Sequence, residues 1–426
     1  MRVRLALVLT ASLGLAACQG DDFAPPASPS MSAAAVQENF LTHAPDAALN
    51  AAQRNQLATI RGRAGTAEVH LARIAAAPGR LLQQGAVLRI GLAPGLQVDA
   101  VGENVVQRSA SDISWSGPVR GGNGWAQMVF MDGGLTATVT VGFTTYSIEP
   151  LGNGLHAVSR IDQSALPPEH TPENPSGVLD APGPVAAGFL GTRIAEPRMA
   201  TTAALSQINV LVVYTASAAS AAGNIASKIQ LAVDETNQSY ANSGISINMV
   251  RVNTSQVTYS ETGKSFSTHV NYLKGTTDGQ MDNVHTLRNT YAADVVLLVV
   301  NDSEACGIAA AINATASSAF AVAHYSCITG YYSFGHEIGH LQGARHDRFV
   351  DGTLSPYQYG HGYIPSTKNW RTIMAYGNNC SNCTRIQWWS SPLKTYPSTG
   401  QVMGTATYED NARVLNLTAP TVAGFR

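Results

Sequence analysis

The amino-acid sequence predicts a two-part molecule: a β-rich N-terminal domain followed by a mixed α/β (α+β) domain. Three observations carry this expectation. Between Gly85 and Asp162 short apolar runs alternate with Gly-rich turns, the texture of paired strands. From Gln207 onward, apolar runs alternate with segments of helical periodicity, which implies helices layered on a sheet. Between the two, Leu166 to Arg198 is rich in Pro and Gly and reads as an exposed linker and natural cutting zone. With 426 residues, each part has enough chain to bury its own core.

The chain opens as a targeting segment: Arg2 and Arg4, an apolar run from Leu5 to Ala17, then Cys18. The run is too short to span a membrane as a helix. Leu15-Ala-Ala-Cys18 resembles a bacterial lipobox, which implies a lipoprotein-type signal peptide over residues 1–18 and a lipid on Cys18. Ordinary signal-peptidase cleavage near Ala17 is the alternative. Export to the outer membrane, cell surface or periplasm follows from either, with membrane contact only through the lipid. A Pro-, Ala- and Ser-rich tether follows, to about residue 35.

The N-terminal domain is expected over 19–165, with a helix over 48–77 and strands at 87–92, 126–130, 135–141 and 156–161. The linker is 166–206. In the second domain, 207–426, the continuous apolar run 208–214 predicts a strand buried on both faces. Ile225, Ile229, Ala232, Val233, Thr236 and Tyr240 recur at helical spacing. Strands at 246–252 and 294–300 follow, the second after a helix near 281–291. The strand 318–324 is expected to border a cleft, and helices are expected at 332–342 and 408–419.

Charged residues make up 13% of the chain and the formal net charge is −2, so nothing argues for nucleic acid or for a strongly charged partner. A monomer is expected. Beyond Cys18 the cysteines are Cys306, Cys327, Cys380 and Cys383. In an exported chain an even count reads as disulfides, with Cys306–Cys327 and Cys380–Cys383 preferred among three pairings. Cys380 and Cys383 could also form half a metal site or a redox pair, but no matching second pair or thioredoxin-like setting accompanies them.

Residues 336–347 read His-Glu-Ile-Gly-His-Leu-Gln-Gly-Ala-Arg-His-Asp. On a helix, His336 and His340 project from one face and can share a metal. Glu337 lies off that face but within reach of a water at the metal. Gly343 stands where the helix should stop, because glycine accepts the conformation of a sharp turn. The turn then returns His346 as a third ligand. Three protein ligands with one open position describe a single catalytic Zn²⁺ site; no signal indicates a structural Ca²⁺. His269, His285, His324 and His361 lack ligand spacing and read as structural or surface residues.

This extended pattern resembles the metzincin clan of zinc endopeptidases, whose zinc motif is followed by a methionine-containing turn. Arg371-Thr-Ile-Met-Ala-Tyr376 supplies that turn, with Met374 beneath the ligands. Asp347 is similar to the adamalysin (reprolysin) branch. Tyr376 is similar instead to astacins and serralysins, where that tyrosine is an extra metal ligand or transition-state stabiliser; a plain buried tyrosine is the alternative. The 146–158 region loosely resembles a β-rich adamalysin propeptide. The resemblance implies a zinc endopeptidase made as a proenzyme, with Glu337 as general base and protein or peptide substrates.

The runs 336–347 and 210–214 resemble bacterial peptidyl-Asp metalloendopeptidases, which cut before acidic residues. An arginine fork pairs with a carboxylate, so Arg385, after the Met-turn, is the candidate for reading Asp; a surface arginine is the alternative. Adamalysins commonly silence zinc with a propeptide cysteine, yet residues 19–305 contain none. Asp180, Glu169 and His170 are candidate caps, and steric blocking alone is the other route. A lipid-anchored binding protein on a metzincin scaffold is the competing function; an intact Glu337 argues against it.

Overall fold

The computed structural model describes residues 37–171, 178–180 and 205–426. The targeting segment with Cys18, the tether and most of the linker lie outside the described residues. Among the described residues, no helix is long and apolar enough to cross a membrane.

The N-terminal part is one ten-stranded sheet: β1 (Gln37–His43), β2 (Thr66–Ile74), β3 (Val87–Ala93), β4 (Leu96–Val101), β5 (Asn104–Ser109), β6 (Asp112–Pro118), β7 (Gly124–Met131), β8 (Gly134–Val141), β9 (Thr144–Gly152) and β10 (Leu155–Ile161). The strand order is β4-β3-β1-β2-β10-β9-β8-β7-β6-β5, and only β1 and β3 run parallel. Alternating apolar residues close its core around Trp115, Val139, Ile148 and Leu88.

The helix expected over 48–77 is a correction. Only α1 (Ala51–Arg61) is helical; it opens with an Asn50–Gln53 capping box and ends at Gly62. Residues 66–74 instead pair as β2 with β1 and β10. Tertiary pairing overrides a weak local helical pattern there.

The second part is a six-stranded sheet ordered β11-β15-β16-β14-β12-β13. Its strands are β11 (Val178–Asp180), β12 (Ser206–Tyr214), β13 (Ile247–Gln256), β14 (Val295–Val300), β15 (Gly307–Ala311) and β16 (Phe320–His324). β12, β13, β14 and β16 run parallel, whereas β15 is antiparallel to β16. All six residues of β14 are buried, because helices cover both faces. The helices are α2 (Ala216–Ala222), α3 (Ile225–Ser243), α4 (Phe266–Lys274), α5 (Asn283–Thr290), α6 (Ser333–Leu341) and α7 (Asn411–Val422). The strand along the cleft is β15, not 318–324: Gly307 of β15 lies against Glu337, and β16 is the next strand inward. The run 307–311 is Gly-Ile-Ala-Ala-Ala, whose small residues carry little strand signal.

The N-terminal sheet packs on α3, which explains why this helix buries polar side chains as well as apolar ones. Thr136 meets Ser227 at 2.6 Å, and Gln127 donates to the Asp234 carbonyl at 3.1 Å. Val129 and Met131 close against Leu231. Glu149 of β9 meets Arg63 at 2.6 Å and Lys228 of α3 at 3.6 Å, while Arg63 donates to the Ala221 carbonyl. Burial pushes Glu149 up, but Lys228 and then Arg63 outweigh it and bring its pKa down to about 2. Disulfides join Cys306 to Cys327 and Cys380 to Cys383.

Candidate metal centre and its cleft

α6 carries His336, Glu337 and His340, all fully buried. The helix ends at Leu341, and Gly343 (φ 104°) turns the chain so that His346 comes back toward α6. The Nε2 atoms of His336 and His340 lie 3.2 and 2.9 Å from Nε2 of His346. The sequence-predicted ligand triad is therefore brought together.

A fourth imidazole joins it. His170, from the segment after β10, places Nε2 3.0 Å from His346 Nε2 and 3.4 Å from His336 Nε2. The four ligand nitrogens lie within 4.8 Å of one another, and all four residues are buried. The Nδ1 atoms of three of these rings face carbonyl oxygens: His336 to Ile373 at 2.9 Å, His340 to Ala344 at 2.9 Å and His170 to Gly307 at 2.7 Å. An Nδ1–H that donates to a carbonyl leaves the lone pair on Nε2, so three lone pairs point at one another with no proton between them. Burial first, then neighbouring positive charge, drives His336, His340 and His346 far below the usual histidine range; burial brings His170 down to about 4. Neutral nitrogens crowded this way fit a cation at their centre.

Glu337 lies beside the cluster. Its Oε2 is buried with no protein partner. Burial and then the Glu169 charge push its pKa well up. A side chain on Gly307 of β15 would collide with this carboxylate, so only glycine lets the strand pass so close. The Met-turn lies against α6: the Ile373 carbonyl faces His336, and Met374 is wholly buried in the same core as Ile338 and Leu341. The Tyr376 ring lies 4.4 Å from that of His346, and its hydroxyl is buried without a partner. Asp347 accepts from the Tyr376 backbone N–H at 2.8 Å, which ties the turn to the ligand segment.

Arg385 is not a surface residue; its side chain is completely buried. Arg371 (of β17, Trp370–Arg371) and Arg385 (of β18, Thr384–Arg385) stand side by side in register. Both meet the carboxylate of Glu169: Arg385 through Oε2, and Arg371 through Oε1 at 3.3 Å, where the Tyr331 hydroxyl also donates. Burial pushes Glu169 up, but Arg385 and then Arg371 hold it below the usual carboxylate range. Cys306 N–H donates to the Pro168 carbonyl at 2.7 Å and Gly307 N–H to that of Glu169 at 3.2 Å, so this stretch lies along the start of β15.

The start of the expected linker is thus largely covered: Pro167, His170 and Thr171 are buried, while Pro168 is exposed. Asp180 ends β11, beside Ala311, and its side chain lies outside what is described. The remaining histidines serve locally. His269 bridges Tyr259 and Asp302, His285 meets the Gly275 carbonyl, His324 meets Ser326, and His361 meets the His346 carbonyl. Arg371 and Tyr331 were not singled out from the sequence; no spacing links them to the histidine motif.

A buried histidine cluster on a helix and turn, with a glutamate beside it and β15 along the cleft, defines a metal-dependent peptidase. The chain belongs to the M12 metallopeptidase family. Residues 204–390 match the reprolysin model described as Metallo-peptidase family M12. A peptidyl-Asp metalloendopeptidase of Stenotrophomonas maltophilia is 44% identical over 68% of this chain and 68% of its own length. One of Xanthomonas campestris pv. campestris is 42% identical, over 68% of this chain and 67% of its own. One of Pseudomonas fragi is 40% identical, over 45% of this chain and 100% of its own.

Proposed function

We propose that the chain is a zinc endopeptidase that favours cuts before Asp and is made as an exported, latent precursor. The convergence of His336, His340 and His346 beside Glu337 carries this reading. These three nitrogens would hold the zinc. When bound, zinc supplies a Lewis acid that polarises a peptide carbonyl and lowers the pKa of water. Glu337, with a carboxylate oxygen unclaimed by protein, takes a proton from water and returns it to the leaving amine. Tyr376 offers its unpartnered hydroxyl to the oxyanion that develops on the substrate. The Ile373 carbonyl keeps the His336 ring in place, and Met374 packs in the core beneath α6.

In the precursor His170 stands where a fourth ligand or the substrate would stand, and the N-terminal sheet with its following segment acts as the prodomain. No cysteine is needed for this latency. The preference for Asp is supported by the names of the relatives and by the buried guanidinium of Arg385. Export is supported by the targeting segment of residues 1–18, and lipidation of Cys18 by the lipobox within it.

The test is cleavage-site mapping in a proteome digest by the full chain carrying His170→Ala, with and without a chelator. Cuts concentrated before Asp, lost on chelation and restored by Zn²⁺, are expected. Absent cleavage, or chelator-insensitive cleavage, would overturn the reading.

A further inference from the structure

Glu169 precedes the histidine that meets the metal ligands, and its own side chain goes into a different place: a buried pocket made of two arginines and a phenol. Arg371 is fixed there by the Ala375 carbonyl at 3.0 Å and the Cys383 carbonyl. The Cys380–Cys383 disulfide fastens the turn that supplies the second of these. Arg385 donates to the Tyr331 carbonyl at 3.0 Å, lies over the Tyr331 ring at 4.3 Å, and keeps a buried Nε with no acceptor. The Tyr331 hydroxyl, 3.1 Å from Arg371, completes the set. Gln163 brackets the Arg385 backbone, accepting from its N–H at 2.7 Å.

Two guanidinium groups held by carbonyls in a buried site cannot turn away when Glu169 leaves. Uncompensated, they would be strongly unfavourable, so the vacated pocket demands another carboxylate. The pocket adjoins the histidine cluster, since successive residues of one segment fill the two places. Resting on the endopeptidase reading, we propose that Arg385, Arg371 and Tyr331 form one carboxylate pocket that selects the acidic substrate side chain next to the cut. In the precursor, Glu169 fills it as an internal stand-in. Selectivity and latency are then set by the same three groups.

The test uses the full chain as wild type, as Glu169→Gln, and as His170→Ala alone or combined with Arg371→Gln, Arg371→Lys or Tyr331→Phe. The probes are quenched peptides identical but for Asp, Glu or Asn after the cut. Hydrogen exchange of residues 167–171 is followed in chelator-treated protein, and melting curves confirm folding. Glu169→Gln is expected to raise exchange in that stretch, independently of turnover, and to raise hydrolysis of the Asp peptide about tenfold. In the His170→Ala chain, Arg371→Gln should lower the Asp/Asn ratio of kcat/KM about tenfold, with Arg371→Lys and Tyr331→Phe about threefold each. Peptides cut with a ratio that none of these variants moves, or exchange unaltered by Glu169→Gln, would overturn the pocket and leave the peptidase standing. No cutting by any form would overturn the peptidase reading itself, and the pocket's selectivity with it.

Discussion

Two stretches of chain meet at the histidine cluster, and they are built differently. Residues 336–346 lie on a buried helix and its closing turn, packed under the Met-turn and wholly inside the core. Residues 167–170 form no helix and lie along β15 through a few polar contacts. The first offers three imidazole nitrogens to the centre and the second offers one, each with a glutamate beside it. Yet Glu337 stands without a protein partner for Oε2, whereas Glu169 is claimed by two arginines and a tyrosine. The same functional groups thus serve opposite purposes. Rigid packing makes the first set permanent; in the proposed precursor the second set, held by a short segment along the start of β15, is the removable one.

The comparison breaks most visibly if the two glutamates are exchanged in importance. Glu337→Gln, placed in the His170→Ala chain, should lower peptide hydrolysis about 10²–10⁴-fold with metal content unchanged, measured by kinetics beside elemental analysis. Glu169→Gln should do the reverse and raise it.

Next in size is the difference between the histidines. His346→Ala should weaken zinc binding well beyond tenfold in a chelator competition, since a permanent ligand is lost. His170→Ala should weaken it only a few-fold while hydrolysis rises. Equal loss from both would make His170 a permanent ligand and erase the distinction.

Attachment of the N-terminal sheet to α3 sharpens the comparison through pH. The Glu149 pKa is depressed to about 2 in the folded chain by Lys228 and Arg63, against about 4.3 unfolded. Its stabilisation is therefore full above pH 4.3 and is lost as pH falls toward 2, an effect on the order of 3 kcal/mol. The gap in melting temperature between wild type and Glu149→Gln should be widest near pH 6 and shrink by pH 3. A constant gap would remove the ionic contribution.

The smallest expected effect is at Asp347. Asp347→Asn keeps an acceptor for the Tyr376 backbone N–H and should cost about 1 kcal/mol or less in unfolding free energy.

The permanent half of the site was legible because its geometry is local. Ligands four residues apart on a helix, a glycine at the stop and a histidine after the turn follow from the rise and period of the helix alone. The disulfide pairs were legible for a related reason, as few partners existed. His170 and Glu169 could be named only among alternatives, because their place depends on a segment reaching across to β15. Arg371 and Tyr331 carried no signal: they converge on Arg385 through β17, β18 and the chain before α6. β15 was missed because Gly-Ile-Ala-Ala-Ala has the composition of neither a clear strand nor a helix, and its state is set by pairing with β16.

The central claim is that the precursor centre has three fixed nitrogens and one removable nitrogen. X-ray absorption at the zinc edge, on the full chain loaded with one Zn²⁺, counts them directly. Four imidazoles, read from the multiple scattering of their rings, in the wild type and three imidazoles plus one oxygen donor without a ring in His170→Ala are expected. Three imidazoles in both forms would contradict the account.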